Sequence, residues 1–166
     1  MGMKILNDRQ IRQKIRRLAY EILEQNYEEQ ELILAGINSS GMAFAHLLHE
    51  QLSAISSLRI TLTRVSLNPA DPLSMPVELE QPVSGFANKV VIFTDDVANT
   101  GRTIFYAIKP LLEVVPKKVE VAVLVDRTHK LFPVKVDYCG LSLATTFLEH
   151  IDVEITQVEE FSVYLN

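Results

Sequence analysis

The chain predicts an α/β fold, a mostly parallel twisted sheet flanked by helices, in a single domain of residues 1–166 with a small Pro-rich hood or lid at 66–86. Three observations predict it. Short runs of apolar and β-branched residues, at 32–35, 58–65, 90–94 and 119–125, alternate with stretches whose apolar residues recur at helical spacing. Polar segments bearing glycines or carboxylates follow the strands, as the loops on the carboxyl rim of a parallel sheet do. Four of the seven prolines (Pro69, Pro72, Pro76 and Pro82) fall within residues 68–84, between core strands. Such a stretch reads as a lid or an oligomer contact, not as a domain linker.

Taken in order, Asn7 is a good N-cap and Gln10, three residues on, completes a capping box. Ile11, Ile15, Leu18 and Ile22 then form the inner stripe of a helix running to about Gln25. Its outer side carries Arg9, Arg12, Lys14, Arg16 and Arg17 with no acid between them, either a solvated face or a contact patch for RNA or phosphate. Residues 32–35 are a short strand, and the polar segment 36–41 leads into a second helix with Met42, Ala45, Leu48 and Leu52 inward. A loop of that kind before a helix is a candidate anion site or a plain turn. His46 and His49 lie three apart on this helix, with no third ligand candidate to make a metal site. Within the Pro-rich stretch, residues 77–79 suggest one short strand.

The chemistry concentrates in residues 90–112. A strand of five residues rich in β-branched and aromatic side chains ends at Asp95 and Asp96, followed by a polar loop with one glycine, Gly101, and a helix placing Ile104, Ala107, Ile108, Leu111 and Leu112 inward. Pro110 should bend that helix, and Pro116 ends it. The two carboxylates suit a sugar diol or the approach of a cation. Residues 100–103 would offer N–H groups and hydroxyls to a phosphate. Neither a Walker loop nor the three-glycine dinucleotide fingerprint is present. Further on, residues 119–125 read as a buried strand, 126–130 as a polar loop on the same rim, 134–139 as another strand and 153–158 as the last.

Hydrophobic residues at 48% and charged residues at 22% describe an ordinary soluble globule, and a net charge of -5 argues against a globally basic nucleic-acid coat. The lone Cys139 excludes an intramolecular disulfide and is expected in an apolar, buried setting. No run approaches a membrane span, and the first residues carry neither a signal-peptide core nor a myristoylation signal. A cytoplasmic location with no membrane partner is expected.

The string from Val90 to Thr103, apolar strand-Asp-Asp-x-x-x-Thr-Gly-x-Thr, resembles the phosphoribosyl-pyrophosphate (PRPP) motif of type I phosphoribosyltransferases. Over nearly its whole length the chain is similar to their branch of pyrimidine-operon regulators with uracil phosphoribosyltransferase activity. The residues carrying this are 11–19, 35–37, 60–64, Ala122 through His129, and Asp137-Tyr138-Cys139-Gly140. The resemblance implies transfer of 5-phosphoribosyl from PRPP to uracil, giving UMP and pyrophosphate, with Mg²⁺ on the diphosphate. It gives Asp95 and Asp96 the ribose hydroxyls, with the metal reached through substrate or water. Ala98, Asn99, Thr100, Gly101, Arg102 and Thr103 would cradle the 5-phosphate. Ile37, Asn38, Ser39, Ser40 and Gly41 would form the pyrophosphate loop. Arg64 would act from the lid, and Val125, Asp126, Arg127 and His129 would face the base. The alternative it implies is a nucleotide-sensing regulator that binds mRNA through Arg12, Arg16 and Arg17, or a weakly catalytic nucleotide-binding relative. A homodimer or larger homo-oligomer is implied as well. Three positions depart from the branch: Ser39-Ser40 where an Arg is usual, Val65-Ser66 where acids follow the lid Arg, and Leu141 where the regulator carries a Lys.

Overall fold

A computed structural model describes residues 2–166. Nine strands and three α-helices follow in the order β1 (Met3–Leu6), α1 (Asp8–Gln25), β2 (Glu31–Ile37), α2 (Asn38–Ile55), β3 (Arg59–Ser66), β4 (Glu78–Leu79), β5 (Val90–Ala98), α3 (Arg102–Ala107), β6 (Lys118–Arg127), β7 (Tyr138–Leu143), β8 (Ile151–Glu154) and β9 (Ser162–Leu165). Six strands form the main sheet in the order β4-β3-β2-β5-β6-β7, with every pair parallel except the β3–β4 edge. A second, antiparallel sheet of β1, β9 and β8 is built from the two ends of the chain.

Alternation along the central strands feeds two cores. Leu34, Ile92 and Leu124 meet Leu18, Ile22, Phe44 and Leu48 of α1 and α2 on one face. Ile33, Phe93 and Val123 meet Phe86, Ile104 and Leu111 on the other. The expected capping box closes α1: the Gln10 N–H donates to Asn7 Oδ1 at 2.9 Å, and the Asn7 N–H donates to Gln10 Oε1 at 2.9 Å. The far end of α1 is pinned to β6 and β7 by a buried polar cluster. Tyr138 donates to Glu120 at 2.7 Å, while Asn26 Nδ2 donates to Glu120 at 3.1 Å and to the Ile22 carbonyl at 2.9 Å. Burial and the adjacent Glu120 carboxylate hold the Tyr138 phenol well above its ordinary range. Tyr138→Phe therefore removes a donor from a buried carboxylate and should cost about 1–3 kcal/mol, read as a lowered urea midpoint. An unchanged midpoint would show that the cluster contributes nothing.

Several sequence-based expectations are corrected. The helix after the acid pair is only six residues long, because Pro110 converts its continuation into a 3-10 turn at Lys109–Glu113. That change of pitch turns Leu112 outward, where it is 79% exposed. Residues 134–137 are not a strand. Val134 and Val136 pad the second core, and Asp137 bonds Val121 through both its main chain and its carboxylate before β7 begins. The last expected strand is replaced by β8, which ends before a left-handed residue at Gln157 (φ 55), and by β9 beyond it. Cys139 is half-buried, not fully enclosed.

Candidate functional site

Strand β5 does not stop at the acid pair but carries Asp95 and Asp96 on to Ala98. Asp95 is buried at 8% exposure, and its Oδ1 accepts from Ser40 Oγ at 3.3 Å and from the Asp96 N–H at 2.9 Å. Asp96 is half-buried, and its Oδ1 accepts from the Val97 N–H at 2.8 Å. Burial first, and the Asp96 charge second, push the Asp95 carboxyl well above the ordinary carboxylate range, against weaker opposition from the Asp96 N–H and Ser40. A raised folded-state pKa stabilises the protein while the group is protonated, and that stability is lost as pH climbs from the ordinary aspartate range through the folded value. Asp95→Asn, which keeps an accepting oxygen, should therefore raise the melting temperature at pH 7. The advantage should shrink as the pH is lowered toward about 4, where wild-type Asp95 is protonated too. A melting temperature at or below wild type at pH 7 would contradict this.

Beyond β5, the segment 99–101 forms a tight loop in which Gly101 has φ 87, a left-handed value that a side chain would strain. A Cβ at Gly101 would also stand 3.2 Å from Val134. The loop is clamped from one side by residues 130–132. Lys130 Nζ donates to the Asn99 carbonyl at 2.9 Å and pairs with Asp126 at 2.5 Å, while the Leu131 and Phe132 N–H groups reach the Thr100 carbonyl at 3.0 and 3.2 Å. From the other side the exposed Arg102 donates to the Pro69 carbonyl at 2.7 Å, tying the Pro-rich segment to the loop. A cavity of about 530 Å³ lies between Pro69, Asp95, the Ala98–Thr103 stretch and Phe132. Arg102 and Thr103 open the first turn of α3, whose N–H groups lack helical partners.

Next to it, a smaller cavity of about 130 Å³ is lined by Asn99, Thr100, Arg127, His129 and the segment 145–147. Arg127 spans its wall, donating to Asn99 Oδ1 at 3.2 Å, Thr145 Oγ1 at 2.5 Å and the Thr146 carbonyl at 2.8 Å. The His129 and Phe147 rings meet edge-on at 5.1 Å. Of the four residues expected to face a base, Arg127 and His129 are there. Val125 is not, because it is fully buried with the α1–α2 core, and the Asp126 carboxylate is turned to Lys130.

The expected loop at 36–41 is mostly regular structure: β2 continues through Ile37, and α2 begins at Asn38. One left-handed residue makes the turn, Asn38 with φ 54, and its side chain accepts from the Leu67 N–H at 3.1 Å. Ile37 is buried and Ser39 exposed, so of the hydroxyls only Ser40 reaches the acid pair. Gly41 lets α2 press on β5, since a Cβ there would lie 2.4 Å from the Thr94 carbonyl oxygen. A third cavity, about 330 Å³, separates Asn38, Ser40, Asp95 and Asp96 from His150 and Asp152 of the small sheet. Arg64 is not in a lid. It is an exposed residue within β3, in register with Gly36, and its carbonyl accepts from Glu80 of the edge. It lines none of the three cavities.

The basic face of α1 divides in two. Arg17 is a structural tie, donating to the Cys139 and Gly140 carbonyls at 2.7 and 3.0 Å and pairing with Glu21 at 3.3 Å. Arg12 pairs with Asp8 at 2.9 Å and lies over the Phe161 ring. Arg9, Arg12 and Arg16 share a separate groove of about 510 Å³ with Gln51 of α2.

Sequence reasoning missed Pro69, Lys130, Phe132, Thr145, Thr146, Phe147, His150 and Asp152. Two of them had a sequence signal: Pro69 lies in the Pro-rich stretch expected as a lid, and Lys130 in the polar loop at 126–130. Among the described residues no group of three His, Cys, Asp or Glu side chains is placed to hold a metal ion, so a cation beside Asp95 and Asp96 would bring most of its ligands with it. Nor is any helix among them long and apolar enough to cross a membrane.

Residues 2–157 match the phosphoribosyl transferase domain family. The chain is 33% identical to bifunctional protein PyrR of Streptococcus gordonii, covering 94% of this chain and 92% of that one. It is 34% identical to bifunctional protein PyrR of Streptococcus uberis, over 94% and 91%. In fold it resembles a hypoxanthine-guanine phosphoribosyltransferase of Bacillus anthracis (TM-score 0.76, 17% identity, 100% and 99% of the two chains). It also resembles the hypoxanthine phosphoribosyltransferase of Trypanosoma cruzi (TM-score 0.77, 15% identity, 98% and 94%).

Proposed function

The chain belongs to the phosphoribosyl transferase family, on the branch of the PyrR proteins, and from that premise we propose that it transfers 5-phosphoribosyl from PRPP to uracil. The observation that carries this reading is that three cavities adjoin. The large one shares Asn99 and Thr100 with the small one, and shares Asp95 and Thr103 with the one facing the small sheet. A base in the small cavity, a ribose 5-phosphate against residues 98–103 and a diphosphate between Asn38 and His150 would occupy one cleft in the order the reaction requires.

In this reading the loop N–H groups hold the 5-phosphate, and the Lys130 clamp keeps the loop set before substrate arrives. Asp96 faces the ribose hydroxyls. As the C1–diphosphate bond breaks, the carboxylates at the end of β5 stabilise positive charge developing at the anomeric carbon while the base nitrogen attacks and gives up its proton to the departing diphosphate or to water. Arg127 and His129 border the base, with Phe147 as a flank for its ring. Mg²⁺ carried by the diphosphate would neutralise charge on the leaving group, with Asp95 and Asp96 reached through substrate or water. Transfer involves no covalent nucleophile from the protein. A panel of bases with PRPP and Mg²⁺, read as pyrophosphate release, tests this: uracil should give the fastest release, and a purine-only response would overturn the choice of base.

A second reading has its own observation: Arg9, Arg12 and Arg16 share a groove outside the cleft. There the protein would bind mRNA with the cleft sensing nucleotide. RNA affinity should then fall steeply with salt, and Arg9→Ala with Arg16→Ala should weaken it and flatten the salt slope by about two. Salt-insensitive or undetectable RNA binding would remove this reading and leave the enzyme. The family reading also implies a homodimer or larger assembly.

A further inference from the structure

The cavity between α2 and the small sheet has an imbalance of charge. Asp95, Asp96 and Asp152 all line it, and no Lys or Arg does. Nothing on the α2 side supplies a cation, because Ser39 and Ser40 open that helix and Arg64 stands outside the cavity. A diphosphate bound there would meet three carboxylates. The one lining side chain able to carry positive charge is His150.

His150 is held in a defined position. Its N–H donates to the Asn166 carbonyl and its own carbonyl accepts from the Asn166 N–H, both at 2.8 Å. That pairing fixes the residue on the edge of the small sheet. Asp152, two residues on and on the same face of the strand, meets His150 Nε2 at 3.0 Å and is itself tied to the Asn166 side chain. In the protonated ring both nitrogens carry hydrogen: Nε2–H is engaged by the Asp152 carboxylate, and Nδ1–H is left as the free donor. The ring is 69% exposed and not packed into the core, so that nitrogen is available to a ligand.

We propose that His150, oriented by Asp152, is the substrate-contacting donor for the diphosphate of PRPP in this chain, in the place of a guanidinium from the start of α2. The inference rests on the phosphoribosyltransferase reading and adds a specific residue to it. It separates two ligands that share a ribose 5-phosphate: PRPP carries the diphosphate that reaches His150, and UMP does not.

Calorimetric titration of the full-length chain with PRPP and with UMP, at fixed Mg²⁺, tests it. His150→Ala should weaken PRPP binding about tenfold or more, the scale of one lost charge-assisted hydrogen bond, and leave UMP binding within about twofold. His150→Lys should restore most of the PRPP affinity. Asp152→Asn, acting through the ring's orientation, should give a smaller loss confined to PRPP. If His150→Ala leaves PRPP unchanged, or weakens PRPP and UMP alike, the proposal is overturned and the parent reading stands. If the wild-type chain binds neither ligand, both fall.

Discussion

Asp96→Asn is expected to lower kcat/KM for nucleotide formation by about a hundredfold, most of it in kcat. Asp96 is the less enclosed member of the pair and lines the cavity facing the small sheet, whereas Asp95, which lines that cavity and the large one, is buried and bonded to Ser40. After burial, the Asp96 charge is the second cause that pushes Asp95 upward, and in the proposed reaction the same charge would stabilise a cationic sugar in the transition state. The Asn side chain keeps an oxygen that can accept from the Val97 N–H, so the local turn survives and stability should change little. Initial rates with PRPP varied at saturating uracil separate the two parameters. A loss of less than about threefold would show that the carboxylate charge does no catalytic work, and a rise in KM alone would make Asp96 a binding group.

Gly41→Ala is expected to destabilise the fold by about 2–3 kcal/mol and to lower the melting temperature by roughly 5–10 °C. The added methyl would sit 2.4 Å from the Thr94 carbonyl oxygen, and that atom belongs to a central strand that cannot yield. Helix α2 must move instead, which breaks the 2.9 Å bond from Thr94 Oγ1 to the Gly41 carbonyl and draws Ser40 away from Asp95. Stability and activity should therefore fall together. Gly85→Ala is the matched control, because nothing lies within 4 Å of its Cβ position, and it should leave both unchanged. A Gly41→Ala protein as stable as that control would mean that α2 does not press on β5 in solution.

What could be read from the residues follows from how local the signals are. The capping box at Asn7 and Gln10, the inward stripe of α1 and the runs in β2, β3, β5 and β6 are set by neighbours three or four positions away, and they fold as read. The acid pair and Gly101 were legible for the same reason: strand, carboxylates and left-handed turn lie within a dozen residues. Val125 ends the buried strand expected at 119–125, and only the resemblance turns it toward a base; β6 continues through Arg127 and keeps it in the core. Arg64 falls inside the strand expected at 58–65, and only the resemblance gives it a lid role; β3 leaves it exposed on the sheet, outside the three cavities.

Of the small sheet, only the strand expected at 153–158 overlaps an observed one, β8. Its strands are four residues each and pair the first residues with the last, so no local period announces them. His150 and Asp152 enter the cleft only through that pairing. Arg17 was read as free because its acid partner, Glu21, and its carbonyl partners, Cys139 and Gly140, lie outside the basic run. The third side of the cleft and half of the basic face thus depended on contacts between distant parts of the chain.

One measurement tests the central claim most directly. The full-length chain is incubated with PRPP, Mg²⁺ and uracil, and UMP and pyrophosphate are quantified together. The two products are expected in equal amounts, dependent on uracil and nearly abolished in Asp96→Asn. PRPP bound by calorimetry yet no nucleotide formed from uracil or any other base would contradict it and leave a ligand-binding protein.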